Sequence, residues 1–88
     1  MYSYELRKTV EKIFFKLAKR NPKELAIIEA KIKEIAQNPQ RYKNLRRPLQ
    51  HLKRVHIDKS FVLTFSVDEN KKLVVIEGYD HHDKIYFE

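Results

Sequence analysis

The chain has no cysteine, one glycine and three prolines, and acidic residues are scarce in its first two thirds. Each shortage excludes something. Without cysteine there is no disulfide framework and no thiolate metal site, which fits a reducing cytoplasm. With Gly78 as the only glycine there is no P-loop, no glycine-rich phosphate cradle and no nucleophile elbow. One glycine and three prolines also leave no long flexible linker. No apolar run is long enough to span a bilayer, so no membrane partner is expected. Met1–Leu6 lacks a basic segment followed by an apolar one, so no signal peptide is expected.

What is present begins with charge. The 88 residues allow one domain, 1–88, with a modest core and a formal net charge of +7. Residues 1–56 hold fifteen Lys and Arg against five Asp and Glu; residues 57–88 hold four against seven. Such an excess favours a polyanion: RNA, DNA or an acidic protein segment. A heavily solvated surface of the kind found in heat-adapted proteins would show the same total.

Periodicity gives the elements. Tyr2–Leu6 alternates and reads as a short strand. Val10, Ile13, Phe14, Leu17 and Ala18 repeat at helical spacing. Asn21-Pro22-Lys23-Glu24 then starts a second helix: an N-cap, a proline suited to the first turn, and Glu three residues after the cap. Leu25, Ile28, Ile32, Ile35 and Ala36 form its apolar face, and Asn38-Pro39 stops it. Gln40–Leu52 reads as a basic loop. Three strands follow over Lys53–Asp58, Ser60–Val67 and Leu73–Tyr79, joined by turns short enough to make them antiparallel. The expected fold is α+β: an N-terminal strand, then a helical hairpin packed on one face of a curled antiparallel sheet.

All four histidines follow residue 50. Imidazole moves protons near neutral pH, and arginine holds phosphate. A period of two puts Val55 and Ile57 on one side of their strand and Arg54, His56 and Asp58 on the other. Arg54 and His56 then lie about 7 Å apart along the strand. Polar-outward alternation is also what any half-buried strand shows, so parity alone makes no site. Adjacent His81 and His82 point opposite ways on an extended segment. If Ile85 packs inward, His81 and Asp83 go with it, and His82 and Tyr86 face His56. No recognisable metal-ligand spacing joins these residues, so neither metal nor cofactor is expected. Arg41, Lys43, Arg46, Arg47, Lys53 and Arg54 crowd together without an acidic residue, a candidate phosphate-binding stretch.

The element order resembles the RelE/ParE superfamily of toxins over nearly the whole chain. The most specific part resembles its YafQ branch: Arg47 before Pro48-Leu49, Arg54 two before His56, the strand Phe61–Phe65, and His82 four before Tyr86. The resemblance implies a ribosome-dependent messenger RNA endonuclease in the cytoplasm, silenced by a cognate acidic antitoxin. The chain departs from the pattern twice: Val62 stands where many RelE-like members have Arg, and Arg47 stands where the YafQ branch has His. The same residues suggest a metal-free cut, in which the 2′-hydroxyl attacks the adjacent phosphate. His56 and His82 would share the proton work, Arg54 with Arg47 would hold the phosphorane, and Tyr86 would orient a base or share a proton. Two other readings fit the fold: a ParE-like inhibitor of DNA gyrase, and a non-catalytic RNA- or ribosome-binding domain.

Overall fold

The structure is a computed structural model, and it describes residues 1–81, 83 and 84. In chain order it has β1 (Ser3–Leu6), α1 (Lys8–Arg20), α2 (Pro22–Gln37), a 3-10 turn (Pro39–Arg41), β2 (Lys53–Ile57), β3 (Phe61–Asp68) and β4 (Leu73–His81). The strands form one open sheet in the order β1-β4-β3-β2.

Local chemistry sets the helix boundaries. The Asn21 side chain accepts from the Glu24 amide at 3.2 Å and its amide reaches back to Glu24 Oε1 at 3.4 Å, the reciprocal cap the sequence announces. Asn38 caps the far end of α2, and Pro39 opens the 3-10 turn. In contrast, α1 starts at Arg7 with no side-chain cap. The Arg7 guanidinium is drawn away to Glu77 instead, at 2.9 Å.

Both helices cover one face of the sheet. Val10 and Phe14 of α1 and Ile28, Ile32 and Ile35 of α2 pack on Ile57, Leu63, Phe65, Val74, Ile76 and Tyr79. The apolar run Leu73–Ile76 sits on β4, which is central, as a strand with two buried flanks should be. Tyr79 stacks on Phe61 with ring centroids 5.2 Å apart and meets Phe14 edge-on. Its hydroxyl donates to Glu24 Oε2 at 2.6 Å, tying β4 to the start of α2. Burial, then that bond, pushes the hydroxyl pKa up.

The last three strands are antiparallel, as read from the turns. The sheet as a whole is mixed, because β1 pairs parallel to β4, with Ser3 opposite Leu73 and Leu6 opposite Ile76. The helical hairpin carries the chain across the sheet, so β1 and β2 end up on opposite edges. A second departure is a bulge. Thr64 pairs with Gly78, but Phe65 pairs with Ile76, so Glu77 is the extra residue. The inward set on β4 therefore changes from Val74 and Ile76 to Tyr79.

Glu69 clasps three segments. Its carboxylate accepts from Tyr2 at the N-terminus, Gln40 in the 3-10 turn and Lys72 in the β3–β4 turn. The hydrogen bonds from Gln40, Lys72 and Tyr2 lower its pKa to about 2. A depressed carboxylate contributes stability above its unfolded pKa and loses it as pH falls through the folded value. Glu69→Gln is therefore expected to lower the thermal midpoint near neutral pH. The gap to wild type should close as pH falls from about 4.5 towards about 2. Melting curves across that range check this, and a gap independent of pH would show the clasp to be uncharged in effect.

Candidate RNA-binding and catalytic face

The face away from the helices holds the candidate chemistry. On β2, Lys53 and Ile57 are buried on the helix side and Val55 packs there too, while Arg54 is half-buried and His56 exposed on the outer side. Cross-strand register extends the outer face into rows. His56 stands opposite Val62, which stands opposite Asp80; Arg54 stands opposite Thr64, which stands opposite Gly78. Val62 is fully buried in its row. At that position the chain offers packing in place of a cation, leaving Arg54 as the basic residue of β2 on this face.

Gly78 keeps the second row flat. A Cβ there would stand 2.9 Å from Thr64 Oγ1. Thr64 Oγ1 also donates to the Gly78 carbonyl at 3.3 Å, so the floor beside Arg54 is both tight and bonded. Next to it the bulge turns Glu77 outward, where Ser66 Oγ donates to it at 2.7 Å and Arg7 donates from Nε at 2.9 Å and Nη2 at 3.3 Å. Burial opposes the Glu77 charge, but the bonds from Arg7 and Ser66 outweigh it, and His51 adds to the attraction. The pKa is held below the ordinary carboxylate value. Glu77 is thus an ionised, already satisfied carboxylate. It fixes the border of the face, with its charge paired to Arg7.

The basic loop beside β2 is built. Asn44 bridges Lys53, Leu45 N donates to Leu52 O at 2.9 Å, and Leu49 N donates to Arg46 O at 2.8 Å. The Asn44 amide caps the Gln50 carbonyl at 2.8 Å, and Leu45 is buried beneath. Arg41, Lys43, Arg46 and Arg47 are all exposed on this frame. Arg41 lies over the Tyr42 ring at 5.4 Å, and Tyr42 meets Phe65 edge-on, which roots the loop in the core.

Lys53 does not join these cations, contrary to the sequence expectation. It is buried, and its ammonium donates to the Tyr42 carbonyl and to Asn44 Oδ1, both at 3.0 Å. Its neighbour Arg54 takes the outer face, so strand alternation sends Lys53 inward. Lys53 holds the loop that carries the arginines.

Of the histidines, His81 lies on the helix side, opposite Phe61 in register and edge-on to its ring at 5.7 Å. That is the side the parity argument assigned to it, but Asp83 and Lys84 are helical, so the extended alternation that the argument assumed through Tyr86 does not run on past β4. His82 and Tyr86, the other two expected site residues, lie outside the described residues. Asp58 sits in the β2–β3 turn at φ 60°, and its charge bears on the Tyr79 hydroxyl. Among the described residues no group of three His, Asp or Glu side chains is placed to hold a metal ion. Sequence reasoning missed the Arg7–Glu77–Ser66 border and the role of Gly78. The lone glycine inside a strand was the one available signal.

No protein-family model matches the chain. Individual proteins do. A Methanosarcina mazei protein, named only as uncharacterized, is 59% identical over 98% of this chain and 100% of its own length. A Methanocaldococcus jannaschii protein carrying the name "Putative toxin RelE4" is 57% identical over 98% of this chain and 92% of its own. The chain belongs to the RelE toxin family. The fold agrees. This RelE-family toxin superposes on a chain of the toxin–antitoxin complex RelBE2 from Mycobacterium tuberculosis with a TM-score of 0.75 and 27% identity, covering 91% and 90% of the two chains. Escherichia coli YafQ shares the fold at a TM-score of 0.72 and 16% identity, over 98% and 99%.

Proposed function

We propose that this RelE-family toxin cuts messenger RNA on the ribosome by metal-free attack of the 2′-hydroxyl, and that an acidic antitoxin silences it in the cytoplasm. The observation that carries the reading is the placement of Arg54 and His56. They share the outer face of β2, with exposed Arg41, Lys43, Arg46 and Arg47 on the adjoining loop. An imidazole beside a guanidinium supplies a proton carrier and a charge for a phosphorane, the two things the attack needs. His82 completes the acid–base pair, and Tyr86 orients the substrate. Arg47, exposed on the adjoining loop, would supply the second cation on the phosphate. The likeness to a toxin solved within a toxin–antitoxin complex supports the protein partner. The net charge of +7 suits an acidic one.

A translation assay with purified ribosomes tests this. Site-specific cleavage supports the reading. Blocked gyrase supercoiling without RNA cutting would favour a ParE-like inhibitor, and ribosome binding without cutting a non-catalytic domain.

The loop makes a separate prediction. Arg46→Glu with Arg47→Glu is expected to weaken RNA and ribosome binding and to make the remaining affinity less dependent on salt, because fewer counterions are released. Both side chains are exposed, so the fold should hold. Equal affinity at every salt concentration would reduce these charges to solubility.

A further inference from the structure

The face that carries Arg54 and His56 also carries a group ill suited to holding phosphate, the Glu77 carboxylate. Glu77 is the extra residue of the β3–β4 bulge, and bulges often re-aim a side chain beside an active site. The next residue, Gly78, stands opposite Thr64, and Thr64 stands opposite Arg54. Two strand spacings place Gly78 and Arg54 about 10 Å apart across this floor. That is close to the span from a phosphate to the far edge of its own base. Gly78 adds no side chain to the space between.

Glu77 is clamped and still within reach. Arg7 grips both carboxylate oxygens, Nε on Oε1 at 2.9 Å and Nη2 on Oε2 at 3.3 Å, and Ser66 Oγ donates to Oε2 at 2.7 Å. The Glu77 side chain is 21% exposed. Among the described residues Oε1 accepts a single bond, and a carboxylate oxygen has two lone pairs, so Oε1 has room for one more donor. Burial alone would drive the group towards its neutral form, but the bonds from Arg7 and Ser66 and the charge of His51 keep it ionised. The clamp is a poor staple for the fold. The backbone already joins the two segments, Arg7 N donating to Ile76 O at 3.1 Å. An ion pair whose arginine is 58% exposed also contributes little stability. Its larger consequence is to fix the direction of the carboxylate.

We propose that Glu77 reads one of the two bases flanking the cut, accepting a hydrogen bond from an exocyclic amine and so favouring adenine or cytosine there over guanine or uracil. The inference rests on the reading of this chain as an RNA-cutting toxin and names a residue that selects its site. Contacts to phosphate position a nucleic acid, and contacts to base edges specify it. A carboxylate repels phosphate but accepts readily from an amine such as cytosine N4 or adenine N6. Guanine and uracil present a carbonyl oxygen in the same place, which an anion repels. A single strand leaves those edges open to be read. Because Arg7 and Ser66 hold the carboxylate, it is not free to swing away from the wrong base.

The test compares the wild-type chain with Glu77→Gln on messages that differ only in the bases flanking the cut, each set in turn to A, C, G or U. One arm follows single-turnover cleavage on ribosomes. A parallel arm measures, by anisotropy, binding of the same sequences as short labelled strands with 2′-hydrogen at the cut position. At one flanking position wild type is expected to favour A and C over G and U by at least about fivefold in both arms. Glu77→Gln, whose amide can donate as well as accept, should bring that ratio to within about twofold. A uniform loss across all four bases with the preference intact overturns the proposal and leaves Glu77 a staple. A wild-type chain indifferent to the flanking bases overturns it too. Should Glu77→Gln melt too low to assay, Glu77→Asp takes its place, keeping the charge but shortening the reach by one methylene. It is expected to flatten the preference, and an unchanged preference overturns the proposal. Failure of the cutting reading looks different: no message is cleaved, while the base preference persists in binding.

Discussion

Messages carrying a 2′-deoxynucleotide at the cut position are expected to resist cleavage altogether while still binding. The attack proposed here uses a nucleophile on the RNA itself, and the chain has no cysteine to take its place. Removing one oxygen takes away the nucleophile but leaves the phosphate charge that Arg54, Arg46 and Arg47 would hold. The loss should thus appear in the chemical step and not in affinity, the pattern of an interaction needed only in the transition state. The measurement is single-turnover cleavage of paired ribo- and 2′-deoxy-substituted messages on programmed ribosomes. Cutting of the deoxy message at the ribo rate would mean that water, not the 2′-hydroxyl, attacks.

His56→Ala carries the second largest effect, a loss of roughly 10²–10⁴ in cleavage rate, the usual worth of a general acid or base. The fold should not pay for it. His56 is exposed on the outer face of β2, opposite Val62, and the core residues of that strand, Ile57 and Val55, point the other way. A surface change of this kind usually moves stability by no more than about 0.5 kcal/mol. A large rate loss with an unchanged melting curve is the expected combination. Full activity would remove His56 from the proton path, and a rate loss tracking unfolding would make its role structural.

Local signals were legible in the sequence and distant ones were not. The Asn21-Pro22-Glu24 cap announces α2 because every partner lies within four residues. The alternation Arg54–Val55–His56–Ile57 assigns faces because a strand has a period of two. The same rule held the correction for Lys53: it alternates with Arg54 and so belongs with the core, although the two are adjacent in a run of cations. Counting charges in a segment overlooks this. The parallel pairing of β1 with β4 and the Arg7–Glu77 pair join residues about seventy apart, and nothing local encodes them. The bulge at Glu77 had one trace, the lone Gly78, whose missing Cβ leaves Thr64 its place beside Arg54. Of the four proposed catalytic residues, Arg54 and His56 share a face, and His82 and Tyr86 lie outside the described residues.

Charge was legible as a total and misleading as a location. The excess in residues 1–56 reads as one basic region. In the fold it divides between the loop beside β2 and the outward side of α1.

The central claim is that this RelE-family toxin is a ribosome-dependent ribonuclease working through the 2′-hydroxyl. Its most direct test is to incubate the purified chain with a defined message, with and without ribosomes and with and without a metal chelator, and to determine the chemical ends of the fragments. The expected result is a cut only where ribosomes are present, insensitive to the chelator, with a 5′-hydroxyl downstream and a 2′,3′-cyclic phosphate or 3′-phosphate upstream. An intact message on toxin-bound ribosomes, or fragments with a 5′-phosphate formed only with divalent metal, would contradict it.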